Sequence, residues 1–215
     1  MIRVLLVDDH TSVRQALSIV FEREPDCSVV AQVGSLDEAR DILDGYDVAV
    51  VDLDLHDGDG VTLIRELHEA NPVGTILTLT SSTDRKRYAL AVEAGASGVL
   101  HKSMKLSEIL GAMRCLGSGG QVHTADELIG LLRLASHQRE QERGAQEALA
   151  SLTPREREVL EALADGLNDK EIAERLHISA DTTRTHMVHI LGKLHVGSRL
   201  QALVFALRHG AVTIS

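Results

Sequence analysis

Five polar side chains stand at matching places in the first half of this sequence, each at or just past the end of a short apolar run. Asp8 and Asp9 follow residues 4–7, Asp52 follows 48–51, Thr80 follows 75–79, and Lys102 comes two residues after 98–100. Three carboxylates gathered in one crevice repel one another unless a hard divalent cation binds them, and Mg2+ prefers a few carboxylates completed by water. With such an ion in place a carboxylate acts as a nucleophile toward a phosphoryl group, giving an aspartyl phosphate. A lysine then neutralises phosphoryl oxygens, and a threonine hydroxyl donates a hydrogen bond to one of them. Taken singly, an aspartate after a strand is a turn former and a lysine is a solvated charge. The equivalent placement of all five points to chemistry. Asp54, Asp57 and Asp59, interleaved with Gly58 and Gly60, read as turn chemistry.

The elements that must position these residues alternate regularly. Apolar runs at 3–7, 29–33, 48–51, 75–79 and 98–100 predict strands, and amphipathic stretches at 12–23, 36–43, 60–70, 84–94 and 106–117 predict helices. Near-continuous apolar strands alternating with helices predict a parallel sheet covered on both faces, a flavodoxin-like, doubly wound α/β domain of five strands. Ligands of such sheets bind outside the carboxyl ends of the strands, where the five polar residues fall. Gly117-Ser-Gly-Gly120 breaks the pattern. Residues 125–150 carry an apolar stripe (Leu128, Leu131, Leu132, Leu134) that gives way to charged residues, which predicts a helix becoming a solvated linker. An all-α segment of four helices then opens at Thr153, an N-cap with Pro154 at the first helical position and Glu156 completing a capping box. Its helices are expected to run from Thr153 to Gly166, over 169–176, over 180–194 behind the cap Ser179, and from Ser198 to Gly210. The resulting division is 1–120, 121–150 and 151–215.

The chain has 215 residues and a net charge of −10, unevenly spread. Residues 1–120 hold 11 Lys and Arg against 19 Asp and Glu, whereas 151–215 hold eight of each. Within 177–209, Arg184, Lys193, Arg199 and Arg208 face only Asp181, so a phosphate backbone prefers the tail and a metal ion the front. Two distant cysteines, Cys27 and Cys115, suit a reducing cytosol. No apolar run reaches the length of a membrane span, and the start MIRVLLVDDH lacks a signal-peptide profile, so a cytoplasmic protein with no membrane partner is expected.

In the tail, a scaffold helix, a short turn and a second helix opening with Asp181-Thr-Thr-Arg-Thr-His186 follow helix-turn-helix logic. Arg184 is the first candidate for a base or phosphate contact, and Thr182, Thr183 and Thr185 offer hydroxyls. Lys170 and Lys193 are phosphate candidates that set register without reading sequence. His186, His189 and His195 lack the acidic or cysteine partners of a metal site, and any protonation of them favours DNA. On these residues alone, a small helical bundle with a polar surface reads equally well.

Longer motifs decide between these readings. Val7-Asp-Asp-His10, Val51-Asp-Leu53, Leu79-Thr80-Ser81 and Gly95-Ala-Ser-Gly-Val-Leu-His-Lys102 resemble receiver domains of two-component systems. Leu152-Thr-Pro-Arg-Glu-Arg-Glu-Val-Leu160, Gly166-Leu-Asn-Asp-Lys-Glu-Ile-Ala173, Leu176-His-Ile-Ser179 and Lys193-Leu resemble LuxR-type helix-turn-helix domains. In that order, over all but about 121–150, they are similar to the NarL/FixJ group of transcription regulators. The resemblance implies that Asp52 is the phospho-acceptor, charged by a sensor histidine kinase. It implies that Asp9, Asp52 and the Asp54 carbonyl ligate Mg2+, with Asp8 assisting through water. Thr80 is then the switch hydroxyl and Lys102 the phosphoryl contact. It further implies a non-enzymatic regulator that binds an inverted-repeat DNA site as a homodimer through the last helix, with Arg199, Leu200, Leu203, Val204 and Leu207 as the candidate pairing residues.

The chain departs from these patterns in places. His56 stands where proline is usual, Leu55 replaces a common methionine, and Val99 occupies the place of an aromatic switch residue. Val188 and Gly192 fall where recognition helices often carry long polar side chains, which predicts fewer released counterions and a shallow salt dependence. A rival reading takes Asp52-Leu-Asp54 for the opening of a haloacid-dehalogenase-type phosphatase, with Asp52 as nucleophile and Asp54 as acid. It leaves Asp8, Asp9 and the C-terminal segment without a role. A third reading is a DNA-binding protein whose receiver has lost phosphorylation.

Overall fold

A computed structural model describes residues 1–213 and divides into two units, Met1–His137 and a second from Gln138 on. In the first unit, β1 (Ile2–Val7), β2 (Cys27–Val33), β3 (Val48–Asp52), β6 (Thr75–Thr80) and β7 (Gly98–His101) form one parallel sheet in the order β2-β1-β3-β6-β7. A two-stranded hairpin, β4 (Asp54–Leu55) with β5 (Gly58–Asp59), sits in the loop after β3, where only turn chemistry was expected. The intervening helices are α1 (Thr11–Glu22), α2 (Leu36–Arg40), α3 (Gly60–Ala70), α4 (Arg85–Ala94) and α5 (Leu106–Gly117).

Alternation along β1 and β3 explains the two-sided core. Leu5, Val7, Ala49 and Val51 pack with α2, α3 and α4, while Val4, Leu6, Val48 and Val50 pack with α1 and α5. The register pairs Val7 with Val51, Asp52 with Leu79 and Thr80 with His101, so the strands end level and their following residues share one rim. Helix α2 stops at Arg40, short of the expected 43. Ile42 and Leu43 still pack on the core, but as an irregular segment that Gly45 turns at φ +82°. Gly60 opens α3 hard against the strand end: a Cβ there would lie 2.2 Å from the Asp52 carbonyl oxygen, so only glycine allows this approach.

Helix α6 (Ala125–Ala150) is one uninterrupted helix. In the first unit its Leu131, Leu134 and Ala135 pack on Tyr88, Ala89 and Val92 of α4. The second unit holds α7 (Pro154–Ala164), α8 (Asp169–Leu176), α9 (Ala180–Lys193) and α10 (Arg199–Arg208) around Val159, Leu160, Ile172, Met187, Ile190 and Ala202. Thr153 and Glu156 form the capping box of α7, and Ser179 and Ser198 cap α9 and α10. No helix among the described residues is long and apolar enough to cross a membrane.

Glu156 does more than cap. It is buried, and its Oε2 accepts from the Thr153 N–H at 2.7 Å and from the Lys193 ammonium, also at 2.7 Å, which ties α7 to α9. Burial alone would raise its pKa, but the hydrogen bonds from Lys193 and Thr153 outweigh it and hold the carboxyl below its ordinary range. Glu156→Ala is expected to destabilise the second unit by about 2–3 kcal/mol at neutral pH, the scale of a charged hydrogen bond plus part of a cap. A depressed carboxyl contributes stability above its unfolded pKa and loses it as pH falls through the folded pKa, so the variant should converge on wild type in acid. Urea unfolding at pH 7 and pH 3 checks this; an equal gap at both would refute the ion-pair account.

Candidate functional site

The level strand ends bring the predicted pocket residues together. Asp8 and Asp52 are buried, Asp9 is half-buried, and one ligand atom from each, with one from His10, fall within 4.8 Å of one another. The Lys102 ammonium lies 2.6 Å from Asp52 Oδ2 and 2.8 Å from Asp8 Oδ2. The Asp54 N–H donates to Asp52 Oδ1 at 3.1 Å, so both oxygens of Asp52 are held. Thr80 is fully buried, and its Oγ1 accepts from the Ser82 N–H at 3.0 Å. Lys102 is set on Thr80 by its backbone, which donates to the Thr80 carbonyl at 2.8 Å.

Electrostatics follow from crowding three carboxylates, two of them buried, around one ammonium. Desolvation pushes the Asp52 pKa above the ordinary range, and the Lys102 hydrogen bond offsets this only in part. Lys102 is raised as well: burial disfavours its charge, but hydrogen bonds to Asp52 and Asp8 more than compensate. Asp8 Oδ2 and Asp9 Oδ1 are buried and meet only the Lys102 ammonium, at 2.8 Å, and the His10 ring, at 2.6 Å, among the described residues, neither in good hydrogen-bond alignment. Unfilled carboxylate lone pairs in a cluster of this size suit a hard, oxygen-seeking divalent cation such as Mg2+.

Three residues near the site escaped the sequence analysis. His10 Nδ1 lies 2.6 Å from Asp9 Oδ1 and 3.4 Å from Asp8 Oδ1, and its position directly after the two aspartates was the available signal. Arg14, one helical turn on, donates to the Asp8 carbonyl. Arg87 reaches the loop after Asp52 from α4, across 34 residues of sequence, and no local pattern announces it. Arg87 also pairs with the Asp54 carboxylate at 3.1 Å.

In the second unit, α9 divides by helical phase. Thr183, Met187 and Ile190, with the C-cap Leu194, point inward, whereas Asp181, Arg184, Thr185, Val188, His189 and Gly192 form one exposed stripe. Two expectations need correction here. Thr183 is fully buried and donates to the Ser179 carbonyl at 3.3 Å, so it packs the bundle and offers no hydroxyl to a partner. Lys193 is committed to Glu156 and, at 2.9 Å, to the Ser151 carbonyl, which makes it a tie between helices instead of a free phosphate contact. Thr182 joins the Ser179 cap at 2.8 Å, and Thr185 is exposed with its hydroxyl donating to the Asp181 carbonyl. Arg184 is exposed and pairs with Asp181 at 3.0 Å and Asp169 at 3.5 Å. Lys170 is exposed at the start of α8, and His189 on the α9 stripe. On α10, Leu203 and Leu207 pack into the bundle while Leu200 and Val204, one turn apart, are 68% and 55% exposed. Arg199 is tied to Asp169.

Residues 4–114 match the model of the response regulator receiver domain, and residues 150–206 that of the luxR family of bacterial regulatory proteins. The chain is 36% identical to the DNA-binding transcriptional activator DevR/DosR of Mycobacterium tuberculosis, over 96% of this chain and 94% of that protein. It is also 36% identical to the transcriptional regulatory protein LiaR of Bacillus subtilis, over 99% of this chain and all of that one. Among solved structures it resembles the response regulator ChrA of a heme-sensing two-component system, at 32% identity, 98% coverage of both chains and a TM-score of 0.52.

Proposed function

Since this chain belongs to the two-component response regulators that join a receiver domain to a LuxR-type DNA-binding domain, we propose that Asp52 accepts a phosphoryl group from a sensor histidine kinase and that the phosphorylated chain regulates transcription from an inverted-repeat site as a homodimer. The observation that carries this reading is the buried Asp52 with Lys102 at 2.6 Å, inside a cluster of carboxylates at the level ends of the strands. Residues 1–120 serve as the accepting domain, 121–150 as the connecting helix and 151–215 as the DNA-binding domain. The protein works in the cytoplasm and is not an enzyme that turns over a separate substrate.

Asp9, Asp52 and the Asp54 carbonyl would hold Mg2+, with Asp8 beside them. When bound, the ion draws charge from the phosphoryl oxygens and so opens phosphorus to attack. Asp52 supplies the attacking carboxylate oxygen, and the bond from phosphorus to the donor's leaving group breaks as the acyl phosphate forms. Lys102 is freed from part of its duty to Asp52 once that carboxylate is phosphorylated, and its charge then serves the phosphoryl oxygens. The Thr80 hydroxyl, an acceptor from Ser82, keeps its own proton to donate to the same group.

On the DNA side, Arg184, Thr185 and His189 on the exposed α9 stripe, Thr182 beside the Ser179 cap and Lys170 at the start of α8 are the contacts left after Thr183 and Lys193 are withdrawn. Leu200 and Val204 present the apolar surface through which a second copy pairs. After treatment with acetyl phosphate and Mg2+, the chain is expected to gain one hydroxylamine-labile phosphoryl group. It should then sediment as two copies on a duplex selected from a random pool. The double variant Leu200→Asp/Val204→Asp should label like wild type and bind that duplex as a single copy, with affinity reduced about tenfold or more. Two copies of the double variant on the duplex would remove α10 from the pairing.

A further inference from the structure

We propose that Arg87 is a positioning residue of the acceptor site: from α4 it orients the peptide that holds the Asp52 carboxylate. This inference rests on the reading of Asp52 as acceptor. Arg87 Nη2 donates to the Leu53 carbonyl at 3.0 Å and lies 3.1 Å from Asp54 Oδ1 and 3.3 Å from Asp59 Oδ1. The Leu53 carbonyl and the Asp54 N–H belong to one peptide unit, and that unit is planar and rigid. Its carbonyl end is held by Arg87 and by the Gly60 N–H at 3.0 Å. Its N–H end donates to Asp52 Oδ1 at 3.1 Å. Fixing one end of the plane aims the other, so the guanidinium sets the direction from which Asp52 receives this hydrogen bond. Asp52 Oδ2 is thereby left to Lys102. Asp54 is also the residue whose carbonyl would face the metal, so the same clamp steadies a ligand.

Arg87 Nε is buried and finds no partner among the described residues, which marks a side chain placed by the contacts of its tip and not by satisfying all its donors. The tip faces an open cavity of about 370 Å3 together with Asp9, Asp54, His56 and Asp59, the approach to the acceptor. Helix α4 also carries Tyr88, Ala89 and Val92, on which the first half of α6 rests. The clamp therefore joins the acceptor loop to a helix with a load of its own.

The alternative is a purely electrostatic role, in which Arg87 neutralises Asp54 and Asp59. The two roles predict opposite signs. Loss of a neutralising charge leaves more negative potential beside the cluster and tightens Mg2+ binding. Loss of a positioning contact loosens it, by about 10–100-fold where residues that orient metal ligands are removed. Calorimetric titration of Mg2+ into the unphosphorylated full chain, with hydrogen exchange over 85–94, separates them. Arg87→Ala and Arg87→Lys should both weaken Mg2+, because lysine restores the charge but not the planar, rigidly placed N–H group that meets the Leu53 carbonyl, and both should speed exchange in α4. Limiting labelling rates at saturating Mg2+ should fall less than the Mg2+ affinity. Unchanged or tighter Mg2+ binding by a folded Arg87→Lys chain overturns the proposal while leaving the acceptor reading intact. A wild-type chain that neither binds Mg2+ nor labels at Asp52 overturns both.

Discussion

Asp52→Ala is expected to abolish labelling by a small phosphodonor in Mg2+, to below detection, while leaving the first unit folded. Loss of a buried group often confuses chemistry with stability, but this site separates them. The Lys102 ammonium remains 2.8 Å from Asp8 when Asp52 is removed, so no buried charge is stranded. The carboxylate removed is one whose pKa burial has already raised, so its ionised form strains the fold at neutral pH instead of supporting it. The variant should therefore melt near or above wild type and still fail to label. Intact-mass spectrometry across a time course checks both halves. Persistence of the label at the wild-type rate would move the acceptor to Asp8 or Asp9 and break the assignment.

Removing the cation has the opposite signature. Lys102→Met keeps the apolar stem and deletes the charge, leaving Asp52 and Asp8 buried beside one another with side-chain exposures of 1% and 6%. We expect a loss of about 3–5 kcal/mol at neutral pH without metal, the scale for breaking a buried pair by removing one partner. The pH dependence follows from Asp52. A carboxyl whose folded pKa lies above its unfolded value binds its proton more tightly when folded, so its stabilising contribution is complete below about pH 4 and is lost as pH rises through the folded pKa. Without Lys102 that folded pKa climbs further, and the deficit should shrink on acidification. Mg2+ should shrink it too, since an ion that binds only the folded state stabilises it by mass action. Urea unfolding at pH 5 and pH 7.5, with and without Mg2+, measures both effects. A deficit indifferent to pH and metal would mean that Lys102 matters for packing alone.

The fold was legible because its periodicities are strong and its punctuation is local. The runs before Asp8, Asp52 and Thr80 are too apolar to be anything but central strands. The capping residues Thr153, Ser179 and Ser198 carry their signals within a single turn. The pocket was legible for a related reason: parallel strands end on one side of the sheet, so five residues at equivalent offsets must meet. What stayed hidden depends on helical phase or on contacts between distant elements. Thr183 reads as a recognition-helix hydroxyl in sequence, yet it shares the phase of Met187 and Ile190 and faces inward. Lys193 reads as a free cation until the buried Glu156, 37 residues earlier, is placed beside it. Arg87 stands on a helix with no chemical motif, and only the superposition of α4 on the β3 loop gives it a task. The short α2 belongs with these, because Ile42 and Leu43 satisfy the core in an irregular conformation as readily as in a helical one.

The arginine on the exposed stripe of α9 carries a consequence for selectivity. Arg184 is not idle in the free protein: two carboxylates, Asp181 and Asp169, already occupy it, and Asp169 is shared with Arg199. If Arg184 meets DNA as proposed, they occupy the place of a nucleic acid's own anions, as a built-in decoy. On the proposed assignment of Arg184 to DNA, engagement of a duplex is an exchange of one set of acceptors for another, so a loosely fitting sequence that offers only a phosphate at the wrong angle gains little over the arrangement it must displace. A base edge or a well-placed phosphate that takes both arms of the fork clears that threshold. Asp169, released from Arg184, keeps Arg199 and is not left bare, so the exchange leaves no penalty behind in the protein. The displacement costs the same for every duplex, so the decoy lowers all affinities alike, and the weakest contacts, those to misplaced phosphates, are the first to fall below the level that holds the protein on a duplex.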